Sequence, residues 1–176
     1  MADVVVRSTQ PALAAIKLAW WRERLEEIDG GLVPAEPHLQ AVTRELLPRG
    51  LSGADLAGLE EGWAALLSEA PDIALVNRHG ARLFALAARL LGIPFDDAML
   101  GEAGRLFVRV DFARRGLCDL PDDTIAIAPA PKGARPLTAL AALAARDSRR
   151  GSRGFESEAT PGRSWTLIRH RLTGRI

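Results

Sequence analysis

The segment from residue 11 to residue 31, which contains two adjacent tryptophans, constrains the fold more than any other stretch of the chain. Its apolar residues recur at steps of three and four, and charged residues fill the opposite side. Pro11 suits the first turn of a helix, and Gly30 with Gly31 provides a flexible stop. The spacing therefore predicts an amphipathic helix. Its apolar face comprises Ala14, Leu18, Trp21, Leu25 and Ile28.

Trp20 and Trp21 cannot occupy the same face of this helix. Adjacent residues point about 100° apart on an α-helix, so two side chains of this size require two different neighbours. The spacing alone favours a place in the core for both. The alternative is that one of them lines a cavity.

The composition favours helices over strands. The chain contains no Tyr, and Val4 to Val6 form one of its few β-branched runs. Helical periodicity recurs in later segments. We therefore predict an all-α fold. The predicted helices cover about 37–47, 52–66, 71–91, 95–115, 137–146 and 160–172.

A chain of 176 residues is suited to one hydrophobic core, so we predict a single domain over residues 1–176. Four prolines interrupt residues 116–136, which predicts a long irregular loop. Residues 146–176 form a basic C-terminal segment.

Two local patterns predict how the helices begin and pack. Ser52, followed three residues later by Asp55, resembles a capping box and predicts a helix start. Gly80 shares a helix face with Val76 and Leu83. A small residue at that position predicts the close approach of a second helix.

The charge is unevenly distributed along the chain. The net charge of +1 argues against an extended nucleic-acid-binding surface. Residues 146–176 carry eight Arg and three acidic residues, or +5, which leaves −4 for the rest. A solvated surface explains such a segment. An anionic membrane or a phosphate-bearing ligand is the more specific interpretation.

Compartment and metal content follow from the remaining composition. The single Cys118 excludes an intramolecular disulfide, and no stretch is long and apolar enough for a transmembrane helix. We expect a cytoplasmic protein that can contact a membrane only peripherally. His38, His79 and His170 lack ligand spacing among themselves or with Cys118, which argues against a zinc site.

Three segments between about residues 16 and 121 together resemble the squalene/phytoene synthase family of head-to-head prenyl transferases. Residues 18–22 match the family's Leu-x-Trp-Trp-Arg segment. Residues 74–80 match a family helix at Gly80 but lack its two tyrosines, and residues 119–121 stand where the family has Tyr-Leu-Pro. The resemblance implies an isoprenoid-synthase-like helical bundle, truncated at its N-terminus, around an apolar cavity.

The resemblance also implies where metal-dependent chemistry would take place. Family members hold magnesium between two Asp-x-x-x-Asp motifs, in which the spacing of four places both carboxylates on one helix face. The first motif is missing, since Asp3 is the sole acid before the Trp-Trp helix. The second retains Asp111 as its catalytic acid but has Arg115 four residues later. Metal ligands, with Mg²⁺ as cofactor if the protein is active, would then be Asp111, Asp119, Asp122 and Asp123.

By the same resemblance, substrate-binding residues are predicted on three helices. Arg82 and Arg89 lie on faces of one of these helices close to the face of Arg78. The sequence allows two interpretations of these arginines, a solvated surface or a contact with a diphosphate. The predicted set is Trp20, Trp21, Arg22, Arg78, Gly80 and Arg109.

The resemblance leaves two functions to distinguish. The first is a protein without prenyl transferase activity that binds a lipid, a prenyl diphosphate or a protein partner. The phytoene-synthase-like assembly factor of mitochondrial respiratory complex I resembles it in that respect. Absent first helices would expose apolar surface, which predicts a protein partner or a homodimer. The alternative is an active transferase that condenses two prenyl diphosphates in isoprenoid biosynthesis.

Overall fold

The computed structural model describes residues 1–94, 97–121, 126–151 and 154–176. This part of the chain contains helices and no strand, which confirms the all-α prediction. The α-helices are α1 (Ala2–Val6), α2 (Pro11–Asp29), α3 (Pro37–Ala41), α4 (Gly53–Ala57), α5 (Glu60–Ala64), α6 (Ile73–Leu91), α7 (Asp97–Arg114), α8 (Arg135–Arg150) and α9 (Pro161–Thr173).

The helix predicted for residues 52–66 is instead divided into α4, α5 and a 3₁₀ turn. Its start is as predicted: the Ser52 side chain accepts a hydrogen bond from the Asp55 backbone, and the Asp55 carboxylate accepts one from the Ser52 backbone. The helix then ends early, where Arg82 of α6 donates to the carbonyls of Ala54 and Asp55. At Asp55, a side chain from another helix thus takes the acceptor that a continuing helix would use, whereas the Ala54 carbonyl also accepts a helical hydrogen bond from the Gly58 N–H.

Two other predicted helices differ from the structure in length. The segment at 37–47 is helical as α3, then continues as a π-helical turn over Val42–Leu46 and a 3₁₀ turn over Leu47–Arg49. Helix α8 is longer than predicted and extends to Arg150. The described part of residues 116–134 contains a 3₁₀ turn at Lys132–Ala134 and no α-helix, and α8 begins at Arg135.

Helices α6 and α7 form the centre of the fold and meet at two glycines. A Cβ atom on Gly80 would collide with the carbonyl group of Gly104, and one on Gly104 would collide with that of Gly80. The backbones therefore touch at this crossing, as the small residue in α6 predicted. Any larger side chain at either position would force the two helices apart.

The core extends from this crossing in two directions. On one side, Leu18 of α2 packs with Val76, Val108 and Phe112. On the other, Phe84 of α6 belongs to a cluster that includes residues of α7 and α8. Helix α9 packs on α8. The α6–α7 pair therefore separates a surface formed by α2 from a surface formed by α8 and α9.

Candidate functional site

The predicted catalytic acid, Asp111, is engaged by the residue that replaces its partner. Arg115 Nε lies 2.8 Å from Asp111 Oδ2, and its Nη2 lies 3.3 Å from Oδ1. Both carboxylate oxygens therefore accept hydrogen bonds from one guanidinium group. The position predicted to bind a cation therefore holds an internal ion pair.

Of the other predicted metal ligands, the structure describes Asp119. Asp119 is exposed, and Asp122 and Asp123 lie outside the described residues. Within the described ranges no group of three or more His, Cys, Asp or Glu side chains is arranged to hold a metal ion.

Arg109 and Asp119 both line an open cavity of about 930 Å³ between the end of α7 and the segment that precedes α6. Its other walls include the apolar residues Pro71 and Leu120. Cys118 is also at this cavity, and burial raises the pKa of its thiol. The cavity thus combines one cation, Arg109, with the two carboxylates of Glu69 and Asp119, a thiol and apolar surface.

The two tryptophans of α2 occupy different environments. Trp21 is half-buried and packs against the cluster of Leu25, Ile28 and Leu39. Trp20 meets Trp21 edge to face at a centroid distance of 5.2 Å, but 41% of it is exposed. The interpretation that both belong to the core is therefore wrong for Trp20, because the helix turns that side chain away from its buried face.

Arg22 has an acidic neighbour inside the protein. Its Nη1 lies 3.8 Å from Oε2 of Glu60, which is buried at the start of α5. Burial raises the pKa of the Glu60 carboxyl, and the guanidinium of Arg22 opposes that shift. The predicted substrate contact therefore has a structural partner, which links α2 to α5.

The two predicted substrate-binding residues of α6 lie on different sides of the helix. Gly80 is buried at the crossing with α7, whereas Arg78 is exposed in a shallow groove of about 450 Å³ beside α4 and α5. Arg82 and Arg89 share this groove and hold α4: Arg89 Nη1 lies 2.9 Å from Asp55 Oδ2. Within the described residues, Arg78 and Arg82 form no ion pair, and Arg82 donates to the carbonyls of Ala54 and Asp55 instead.

A second apolar stripe runs along α2 on the side away from the core. Leu13, Ile16 and Trp20 follow at steps of three and four, and Ile16 is 66% exposed. Ala14 and Leu18, on the other side, are fully buried. We call Leu13, Ile16 and Trp20 the α2 stripe.

Helix α9 also has an outward apolar stripe, but its inner face is polar. Trp165, Ile168 and Leu172 lie on its exposed side, and Trp165 and Leu172 are 65% and 73% exposed. We call these three residues the α9 stripe. On the inner face, His170 is fully buried, and its Nε2 lies 3.0 Å from Thr138 Oγ1 of α8.

An ion pair completes this inner face. Arg163 Nη1 lies 2.8 Å and 3.0 Å from the two carboxylate oxygens of Asp147, which is 4% exposed. Arg114 of α7 approaches the same carboxylate at 3.9 Å. Polar contacts therefore dock α9 on the bundle, and the apolar side chains of the helix remain outside.

Four arginines surround a groove of about 380 Å³ between α8 and α9. Arg146 is paired with Glu156 at 2.5 Å. Arg149, Arg150 and Arg169 form no ion pair within the described ranges, and Trp165 of the α9 stripe lines the same groove. Burial, together with the charges of Arg169 and Arg146, lowers the pKa of Arg149. We call this the arginine groove.

The arginine groove was not predicted as a site from the sequence. The excess of arginine in residues 146–176 was recognised, but which arginines face one another depends on how α9 packs on α8. Among the described helices, none has the length and apolar character needed to cross a membrane. No protein-family profile matches the chain, and no curated protein and no solved structure shows significant similarity to it.

Proposed function

We propose that the chain is a non-catalytic relative of the squalene/phytoene synthases that acts through its surfaces, and that the α2 stripe pairs with a second copy of the chain. The single observation that carries the proposal is the ion pair between Asp111 and Arg115. The motif match at residues 18–22 supplies the resemblance.

The ion pair bears directly on catalysis. Prenyl transferases of this kind ionise a diphosphate with the help of divalent cations, which prefer several carboxylate oxygens. At Asp111 a cation would have to displace the guanidinium of Arg115, and position 115 would offer it no second carboxylate. Arg115 in place of a second Asp therefore removes one metal ligand and also pairs with the remaining one, Asp111.

The shape of the α2 stripe supports pairing between two copies. In an antiparallel arrangement centred near Ile16, Trp20 of each copy would meet Leu13 of the other, as a twofold-symmetric contact requires. Lys17 and Glu23 flank the stripe with opposite charges. A rim of mixed charge around an apolar centre is typical of protein interfaces.

The catalytic part of the proposal is tested with prenyl diphosphates. We expect no pyrophosphate when the purified protein is incubated with magnesium and farnesyl or geranylgeranyl diphosphate. The Asp111→Ala variant should give the same background as the wild type. Release of pyrophosphate by the wild type that Asp111→Ala abolishes would overturn the non-catalytic proposal.

Pairing through α2 is tested by sedimentation over a range of concentrations. We expect a monomer–dimer equilibrium in the wild type. A charge in the stripe, Ile16→Glu, should weaken it at least about tenfold, since a buried apolar side chain contributes about 1.5–3 kcal/mol. Leu91→Glu is the matched control, because Leu91 is similarly exposed at the end of α6. A wild type that stays monomeric at high concentration would contradict the pairing.

The active prenyl transferase remains the second candidate. The cavity that contains Arg109, Asp119 and apolar walls favours it, because a cation and apolar surface are what a prenyl diphosphate requires. The pyrophosphate assay distinguishes the two candidates directly.

A further inference from the structure

We infer that the α9 stripe and the arginine groove form a docking surface for an anionic membrane, with lipid phosphates in the groove and the stripe inserted at the level of the headgroups. This surface lies on α8 and α9 and is separate from the α2 stripe and from Asp111.

The first support is the inverted polarity of α9. A helix on the surface of a globular protein normally turns its apolar stripe to the core. In α9 the core side carries Thr166, His170 and Arg163, which are hydrogen-bonded inside the protein. The apolar stripe therefore contributes little to the packing of α9 on α8. Its side chains are available for an apolar medium outside the chain.

The second support is the sign of the charge beside the stripe. Arg169 and Arg171 follow Ile168 and flank the stripe on its two sides, and both are exposed. Arg149 stands across the groove from α9. A helix with Trp and Leu on one face and arginines at its margins is suited to lie in the interface of an anionic bilayer.

The third support is the chemistry of the groove. Guanidinium groups bind phosphate oxygens with two parallel hydrogen bonds. Arg149, Arg150 and Arg169 surround one groove, and Nε of Arg150 is buried without a hydrogen-bond partner among the described residues. Trp165 borders the same groove, where an indole ring can lie at headgroup depth beside a bound phosphate.

These features favour a membrane over a nucleic acid or a second helix. Single-stranded nucleic acid is bound by aromatic rings that alternate with cations, whereas this surface combines Trp165 with the aliphatic Ile168 and Leu172. A protein helix would need acidic residues to match three arginines. An anionic bilayer supplies negative charge and apolar depth together.

The test is flotation of the intact protein with vesicles of phosphatidylcholine, with and without phosphatidylglycerol. We expect binding to the vesicles that contain phosphatidylglycerol, little binding to pure phosphatidylcholine, and release as salt is raised. Equal binding to both compositions, or no binding to either, would overturn the inference. So would binding of single-stranded RNA without binding of vesicles.

Variants at exposed positions assign the binding to this surface. Ile168→Ser combined with Leu172→Ser should weaken vesicle binding at least about tenfold, since each leaves less apolar surface to insert. The matched control is Leu32→Ser combined with Leu91→Ser, two similarly exposed positions outside both stripes, which should bind vesicles as the wild type does. If the α9 variant binds as tightly as this control, the inference is wrong.

The charge contribution is tested in the same assay. Arg169→Glu should weaken binding by at least about fivefold, because a basic residue near an anionic surface contributes about that factor. Arg49→Glu makes the same charge change at an exposed position after α3 and serves as control. Equal loss in both variants would indicate attraction to net charge alone and would overturn a site in the groove.

Discussion

Helices α2 and α9 both expose an apolar stripe, yet they are attached to the bundle in different ways. Helix α2 buries Leu18 and Ile28 in the core, so its stripe is a second apolar face. Helix α9 buries His170 and Arg163 on polar partners, so its stripe is its main apolar face. Charges of both signs flank the α2 stripe, and arginines flank the α9 stripe.

The difference shows that exposed apolar area alone does not identify a partner. The charges around a stripe indicate whether protein or lipid is the more suitable neighbour. The inner face of the helix indicates how firmly the surface is held. By both criteria, the α2 stripe resembles a rigid protein interface, and the α9 stripe resembles a surface helix held by polar contacts.

The largest effect is expected from a substitution at the α6–α7 crossing, which should destabilise the whole fold and with it both the α2 stripe and the α9 stripe. Gly80→Val should destabilise the fold by at least about 4 kcal/mol, because a side chain there collides with the backbone of α7. Thermal and denaturant unfolding measure the loss. Gly101→Ala is the control: its Cβ would lie 3.7 Å from Ala81 Cβ, so it should be neutral or stabilise the helix by up to about 1 kcal/mol. Equal stability of Gly80→Val and wild type would show that the two surfaces do not depend on this crossing.

A substitution with a smaller effect should loosen α9 and leave α2 unchanged. Asp147→Asn removes a carboxylate that is 4% exposed and leaves Arg163 without its counter-charge, at an expected cost of about 3 kcal/mol. Hydrogen exchange should become faster in α9 and stay unchanged in α2.

Asp111→Asn is the matched control for that change, since Asp111 also pairs with an arginine but its side chain is 25% exposed. We expect it to cost less than about 1 kcal/mol. Two results would contradict the view that the ion pair of Asp147 stabilises the docking of α9 and not of α2. One is a similar loss of stability in the two variants, and the other is faster exchange in α2 with Asp147→Asn.

The smallest effect is the change of stability with pH, which should have opposite signs for a carboxyl near α9 and a carboxyl near α2. Hydrogen bonds from Arg146 and Thr160 lower the pKa of Glu156, which precedes α9, from 4.5 to about 2. A lowered carboxyl pKa stabilises the fold above 4.5, and this contribution is lost as the pH falls towards 2. Glu156→Gln should therefore lower the melting temperature at neutral pH, with a difference that shrinks across this range.

Glu60, beside α2, provides the opposite case. Its pKa is raised above 4.5 by burial, so the native state loses stability as the pH rises through the raised pKa. Glu60→Gln should therefore become more stable relative to wild type as the pH increases. Melting curves of both variants from acidic to neutral pH test this. Shifts of the same sign would contradict the assigned causes.

The parts of the fold that depend on local chemistry could be predicted from the sequence. The periodicity of residues 11–31 gave the buried face of α2, and Ser52 with Asp55 gave the start of α4. The close approach at Gly80 followed from the absence of a side chain. These features depend on neighbours in the sequence or on a single residue's size.

Features that depend on another helix could not be predicted. Residues 52–66 form two helices, and at the break Arg82 from α6 donates to the Asp55 carbonyl that a continuing helix would use. Helical spacing grouped the apolar residues of α9 correctly. It did not show that Thr138 and Asp147 of α8 would form hydrogen bonds with the opposite face of this helix. In the candidate site, the sequence predicted the broken pair at Asp111, whereas the arginine groove required the packing of α8 against α9.

The polar inner face of α9 also affects how this helix opens. On separation from α8, the buried side chains of α9 that become exposed are Thr166 and His170, together with the ion pair of Asp147 with Arg163. Because the sensitivity of an opening reaction to denaturant grows with the surface it exposes, this opening should depend only weakly on urea. Helix α9 can therefore leave and rejoin the bundle in a local fluctuation while the α6–α7 crossing remains intact.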